Sequence, residues 1–334
     1  MKDDSKSCEF FTDSVQGDEK KLVKAPLLKG MDFNSDECRK NPLLHIRLYV
    51  GHSCNLKCVY CSTDAKKSNV RHSQFLSVGA KLDLLKKIRD DFGTKTVFIN
   101  GRGEPTLDQD FFPIVKGIFE LGMTPFVATN GATLFDNDSA IWKLLYETGA
   151  SVMLKMNSVS NKELEADVFG LSPDSEEYKN IRCITETGEG MDWVKKFARD
   201  RRLAMNCVLC KATAEDDGAP AVLRFCRENG IIPWFNWLLM FGRATRDMVV
   251  SEKAKKPLMK KLTEIDAEYG YERKASRTGN FGIPSELEEY WFHITNTGRI
   301  YSSKYNGGKS FSISNFGKNP DLRGAFYQLN QKVY

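Results

Sequence analysis

The sequence predicts an α/β protein built on a partial (β/α)6 TIM-type barrel with a small C-terminal α+β cap. Three observations carry that expectation. From residue 43 onward, short runs rich in Val, Ile, Leu and Phe alternate with stretches whose apolar residues recur at helical spacing. The connections between them are short, which in an alternating series argues for parallel strands and crossover helices. After about residue 290 the rhythm changes to short runs separated by Asn/Gly turns, the pattern of antiparallel hairpins. Six units are too few to close an eight-stranded barrel, so the sheet should stay open.

Taken in order, residues 1–40 are polar and charge-rich, and Pro26 and Gly30 break their one short apolar patch. They read as an extension or a wrap across the barrel. The division expected is an N-terminal extension at 1–42, the barrel at 43–250, and the last barrel helix with the cap at 251–334. Leu44–Val50 is the first strand, and a cysteine-rich loop follows it. Val78, Leu82, Leu85, Ile88 and Phe92 recur at helical spacing, predicting an amphipathic helix near 73–92. Thr96–Asn100 is the second strand, and the helix at 109–121 turns Phe111, Ile114, Val115 and Ile118 inward. Pro125–Thr129 is the third strand, closed by Asn130-Gly131, and a helix near 139–148 follows. Ser151–Asn157 is the fourth strand, and two helices flank the Ser172-Pro173-Asp174 break. Leu203–Leu209 and Ile231–Met240 are the fifth and sixth, each followed by a helix. Short antiparallel strands are expected at 290–303 and 309–316, with a terminal helix opening at Asn319-Pro320-Asp321.

Composition bounds the function. Hydrophobic residues at 41% and charged residues at 28% of 334 are ordinary for a globular protein. A net charge of +5 is too small to point to nucleic acid. The chain contains no apolar run of about 18 residues, so no membrane span is expected. The charged start, Met1-Lys2-Asp3-Asp4, lacks a signal-peptide core, and a cytoplasmic location is expected.

Three of the nine cysteines, Cys54, Cys58 and Cys61, fall within eight residues as Cys-x3-Cys-x2-Cys. Thiolates so close on one loop can converge on an inorganic centre. A closed zinc site or a closed iron–sulfur cube wants four protein ligands, so three thiols leave two metal readings open. One is zinc with His52 as the fourth ligand; the other is a [4Fe–4S] cluster with an open iron. Cysteines without metal are the third possibility. One unit later comes Gly101-Arg102-Gly103-Glu104-Pro105. Its glycines let backbone approach a ligand and offer amide donors, and Glu104 suits an ammonium group. Cys207-Val208-Leu209-Cys210 is set aside as a chelate, because residues three apart on a strand face opposite sides. Cys183 and Cys226 are read as core, and Cys8 and Cys38 as incidental.

Together the two motifs resemble those of the radical S-adenosylmethionine (radical SAM) enzymes. In that family the residue before the third cysteine is typically aromatic, as Tyr60 is, and a Gly-Gly-Glu-Pro turn holds the methionine ammonium. Here Arg102 stands where the family has its first glycine. The resemblance spans roughly residues 43–243. It implies one [4Fe–4S] cluster on Cys54, Cys58 and Cys61, with S-adenosylmethionine on the open iron. It also implies a reduced flavodoxin or ferredoxin-type donor and a 5′-deoxyadenosyl radical that abstracts a substrate hydrogen. Tyr60, Gly101, Gly103, Glu104, Thr129, Asn130, Lys155, Asn157, Asn206 and Trp237 become candidates for binding the cofactor, with Trp234 and Asn236 as further lining. The tail, including Gly298–Ser303 and Ser314–Gly317, is similar to the SPASM/twitch cap. No cysteine follows Cys226 and Ser303 stands where a ligand cysteine is expected, so no auxiliary cluster is foreseen. Arg243, Tyr301, Lys304 and Tyr305 are candidates for binding the substrate, expected to be a small nucleoside, sugar or amino acid derivative. Peptide modification is the alternative within the family; a non-catalytic zinc or iron–sulfur module is the alternative outside it.

Overall fold

The computed structural model describes residues 22–32, 35–41, 43–65, 74–186, 188–215, 217–272, 292–302 and 311–312. Six consecutive strands form the parallel sheet: β2 (His45–Tyr49), β3 (Thr96–Asn100), β4 (Thr124–Thr129), β5 (Ser151–Lys155), β6 (Leu203–Leu209) and β7 (Ile232–Trp237). Each pairs with the next in the chain. β1 (Val23–Lys24) bridges in parallel to β8 (Tyr271–Glu272), apart from the main sheet. β7 and β2 lie far apart in the sheet order, so the barrel is open. The described tail strands are continuous with it. β9 (Phe292–Ile294) joins β2 in parallel, with Ile46 opposite Phe292 and Leu48 opposite Ile294. β10 (Arg299–Ser302) and β11 (Phe311–Ser312) then follow antiparallel.

Ten helices are described, and local chemistry sets their ends. α1 (Ser35–Lys40) precedes the barrel. α2 (Val78–Phe92) starts later than the periodicity predicts because the Ser77 hydroxyl caps the Ala80 amide; Gly93, in the left-handed region, stops it. α3 (Phe111–Glu120) and α4 (Asp136–Glu147) follow β3 and β4. Three helices rather than two separate β5 from β6: α5 (Lys162–Phe169), α6 (Glu176–Arg182) and α7 (Glu189–Arg199). The first two are capped by the Asn161 and Ser175 side chains, and Gly170 terminates α5. α8 (Lys211–Glu215) and α9 (Gly218–Glu228) follow β6, and α10 (Glu252–Glu268) follows β7. None of the described helices is long and apolar enough to cross a membrane.

Alternation on the strands creates two cores. Ile46, Leu48, Val97, Ile99, Val127, Val152, Leu154, Met205 and Leu209 point outward against the helices. The inward residues Phe98, Phe126, Ala204, Ile232 and Trp234 fill the bottom of the barrel. There Phe98 stacks on Phe126 at 4.3 Å, and Trp234 lies 5.8 Å from Phe126. Leu28, Met31 and Cys38 from the N-terminal segment complete this plug. Residues 29–30 cross the strand starts: the Thr96 and Ser151 hydroxyls donate to the Gly30 and Lys29 carbonyls, and the Lys29 amide donates to Arg201. Leu28, Met31 and Cys38 are therefore part of the barrel's lower core.

Candidate active site

The cysteine loop leaves β2 at Val50, whose amide donates to the Asn100 carbonyl at 2.7 Å. From there it is fixed on several sides by backbone. The Glu104 amide donates to the Ser53 carbonyl (2.8 Å), and the Lys57 and Val59 amides donate to Phe169 and Val168 at the end of α5. A Cβ on Gly101 would collide with the Val50 carbonyl, and one on Gly103 with the Ser53 carbonyl. These glycines were expected to let backbone approach a ligand. The close approach they permit is to the cysteine loop itself, because the two loops cross with no room for a side chain. Both glycines still line the cavity described below. Arg102 is exposed, and its carbonyl accepts from the Thr63 hydroxyl.

Glu104 is buried and heavily bonded. Its Oε1 accepts from the Thr106 amide and hydroxyl, and its Oε2 accepts from the Asn130 amide at 2.7 Å. Burial pushes its carboxyl up, against the pull of these donors. Asn130 in turn donates to Asn55 Oδ1 at 2.9 Å and receives the Ala132 amide. The carboxylate thus joins the end of β3 to the end of β4, and Asn130 carries that tie into the cysteine loop.

The three thiols line one cavity of about 320 Å³, at the small end of ligand-binding cavities. Burial pushes the Cys54 thiol up to about 11 and the Cys58 thiol up to about 12; Cys58 also feels the charge of Cys54 and Cys61, and Cys54 that of Glu104 and Cys61. Cys61 differs. Burial pushes it up, but hydrogen bonds from Thr63 and Ala65 and the nearby Arg243 charge outweigh that and leave it below the usual thiol range. Among the described residues, no three His, Cys, Asp or Glu side chains converge on a point that a single ion could occupy. Tetrahedral zinc at 2.3 Å from each sulfur would require sulfurs within about 3.8 Å of one another. His52 packs edge-on against Phe75 at 5.1 Å and does not line the cavity.

The same cavity is lined by a polar row that crosses the sheet. Lys155 Nζ donates to Asn206 Oδ1, and Asn206 Nδ2 donates to Asn236 Oδ1 and the Trp234 carbonyl, both at 2.7 Å. Desolvation lowers the Lys155 ammonium, against the attraction of Cys58. Lys155 Nζ also lies 5.5 Å from the Tyr60 ring centroid. Thr129, Trp237, Leu238 and Leu239 complete the mouth. Asn100 lines the cavity too, its Oδ1 buried without a hydrogen-bond partner. Sequence reading missed it, since a strand-end Asn before a turn carries no signal of its own.

Several expected site residues fall elsewhere. Asn157 lies beyond the end of β5, fully buried, and does not line the cavity. It accepts the Tyr60 hydroxyl proton, and its amide donates to Glu165, which turns the chain out of the strand. Lys155 and Asn157 both reach Tyr60, one over its ring and the other at its hydroxyl, but only Lys155 lines the cavity. Trp234 belongs to the bottom plug, whereas Asn236 and Trp237 reach the cavity. Arg243, expected at the substrate, is bound to Asp64 and to carbonyls of the cysteine loop. Cys207 lies in the outer core and Cys210 beside Tyr60, on separate faces. Tyr301 is on β10, its side chain outside the described residues, as are Cys8, Ser303, Lys304, Tyr305 and Ser314–Gly317.

Residues 48–188 match the family model described as "Radical SAM superfamily". The GTP 3′,8-cyclase of Photorhabdus laumondii subsp. laumondii is 34% identical over 125 residues, 36% of this chain and 36% of that protein. The GTP 3′,8-cyclase of Mannheimia succiniciproducens is 36% identical over 194 residues, 52% of this chain and 55% of that protein. The chain thus spans between about a third and just over half the length of these curated relatives. Among solved structures, Streptococcus suis SuiB bound to S-adenosylmethionine superposes with a TM-score of 0.58 at 16% identity, covering 87% of this chain and 66% of that one. SuiB bound to its precursor peptide SuiA gives 0.58 at 18%, covering 90% and 68%. At such identity the likeness is one of fold.

Proposed function

We propose that the chain is an enzyme of the radical SAM superfamily, whose family model matches residues 48–188, and that it holds a single [4Fe–4S] cluster on Cys54, Cys58 and Cys61 and uses S-adenosylmethionine on a small biosynthetic metabolite. The observation that carries this reading is the shared cavity, lined by the three thiols, Glu104, Asn130, Lys155, Asn206 and Asn236. Three thiols in one cavity fit a cluster with one iron left to a ligand. Bound together, the cluster and S-adenosylmethionine supply a one-electron cleavage of the sulfonium that yields methionine and a 5′-deoxyadenosyl radical able to take a substrate hydrogen.

The residues of this chain bind, orient and shield. Glu104, on the Gly101–Gly103 turn, offers an acceptor to an ammonium, and Lys155 offers a cation to a carboxylate. Asn206, fixed by Asn236 and the Trp234 carbonyl, is placed to meet ribose hydroxyls. Thr129 and Asn130 close the side next to Glu104, and Trp237 and Tyr60 present aromatic surface for a base. Ala128, Met153, Val208 and Leu238 line the same cavity and exclude water that would quench a reactive carbon. The single cluster is supported by where the other described cysteines lie: Cys38 in the bottom plug, Cys183 half-buried at the end of α6, Cys207 and Cys226 in the outer core, Cys210 beside Tyr60. A flavodoxin or ferredoxin-type protein is the proposed electron donor. The curated relatives are named for a nucleotide reaction, but the match covers part of their length, so the substrate class rests on the cavity's size.

The test is product formation. Purified without oxygen, reconstituted with iron and sulfide, reduced and given S-adenosylmethionine, the protein should release 5′-deoxyadenosine, and Cys58→Ala should abolish it. No 5′-deoxyadenosine from a fully loaded protein would refute the reading.

A further inference from the structure

We infer that Arg243, with Gly242 before it, is a positioning residue for the second half of the cysteine loop: it fixes the backbone from Cys58 to Ala65 and holds a permanent positive charge beside Cys61. The inference rests on the cluster reading of the cysteines, and it concerns a segment 180 residues further along the chain, just beyond β7.

Side chain and backbone of Arg243 both bond to that loop. Its Nε donates to the Asp64 carboxylate at 2.7 Å, Nη1 to the Cys58 carbonyl at 3.3 Å, and Nη2 to the Ala65 carbonyl. Its backbone amide donates to the Cys61 carbonyl at 3.0 Å. A guanidinium can do this because its donors are spread around a rigid planar fork; an ammonium holds the same charge but cannot span three acceptors in fixed directions. Gly242 makes the approach possible. It sits at φ +64, and a Cβ there would collide with the Cys61 carbonyl. The loop itself depends on support at this place, because Asp64, a non-glycine residue, adopts φ 47. That turn directs the Ala65 amide back to Cys61 Sγ at 3.4 Å. The side chain is 23% exposed and its Asp64 partner 48%, so the ion pair alone contributes little. The carbonyl contacts distinguish this arginine from an ordinary surface pair.

The consequence is electrostatic as well as mechanical. A fixed cation next to one thiolate favours the more reduced, more negative state of whatever the thiolates hold. Three variants separate the roles. Arg243→Gln removes charge and fork, Arg243→Lys keeps the charge and loses the fork, and Gly242→Ala keeps the whole side chain and displaces it. In cluster-free protein, amide hydrogen exchange at Cys61–Ala65 should rise about tenfold or more in all three, with exchange in β3–β6 unchanged. In reconstituted protein, all three should lose iron to a chelator about tenfold faster or more. The midpoint potential should fall in Arg243→Gln and stay near wild type in Arg243→Lys. Unchanged exchange at Cys61–Ala65 in Arg243→Gln would overturn the positioning role. An unchanged midpoint potential in Arg243→Gln would overturn the electrostatic one. A wild-type protein that takes up no cluster would defeat the proposed function, while the exchange measurement would still decide the role of Arg243.

Discussion

Gly103 has a structural reason to be glycine that its motif does not reveal. From sequence, a Gly-x-Gly turn signals close approach; only the fold reveals that the approaching backbone is Ser53. Gly103→Ala should destabilise the protein by about 3 kcal/mol in urea unfolding and lower its iron content, since a buried backbone must move. Gly79→Ala, where nothing lies within 4 Å on α2, should be neutral or stabilising by up to about 1 kcal/mol. Glu165 gives a pH test. Burial pushes its carboxyl from 4.5 to about 8, against donors from Ser158 and Asn157 and the Arg182 charge. The folded state therefore binds more protons than the unfolded one between those values, and stability falls as pH rises from about 4.5 to about 8. Urea midpoints across this window should flatten in Glu165→Gln relative to wild type; parallel curves would contradict the assignment. Arg243 was legible as a polar group near the rim but not as a clamp, because hydrogen bonds to carbonyls leave no pattern in sequence.

At the level of elements, the six barrel strands were readable because period-two alternation and helical spacing trade places along the chain. What escaped notice depends on long-range contact. β9 has three residues and pairs with β2 some 245 positions earlier, too short a run to show which neighbour it joins. Residues 28–38 have no period, yet they bury Leu28, Met31 and Cys38 under Phe98, Phe126 and Trp234. Leu28 is 2% exposed, so Leu28→Ala should cost about 2–5 kcal/mol in urea unfolding. Val23→Ala, at a position 58% exposed, should stay within about 0.5 kcal/mol. Equal effects would mean that the segment does not plug the barrel.

For the whole molecule, the barrel divides along its axis. Its lower half is a packed aromatic plug, and its upper rim gathers thiols, a carboxylate and an amide–lysine row at the C-terminal ends of the strands, where barrel folds place their chemistry. The cysteine triplet and the Gly-x-Gly-Glu-Pro turn made that rim visible in advance; the backbone ties from α5 and from residues 242–243 did not, since they belong to no motif. The most direct test of the three-thiol open site is electron paramagnetic resonance of the reduced, anaerobically reconstituted protein with and without S-adenosylmethionine. The account predicts about four irons per chain and a cluster signal that changes when S-adenosylmethionine is added. Stoichiometric zinc in place of iron, or a signal indifferent to S-adenosylmethionine, would contradict it.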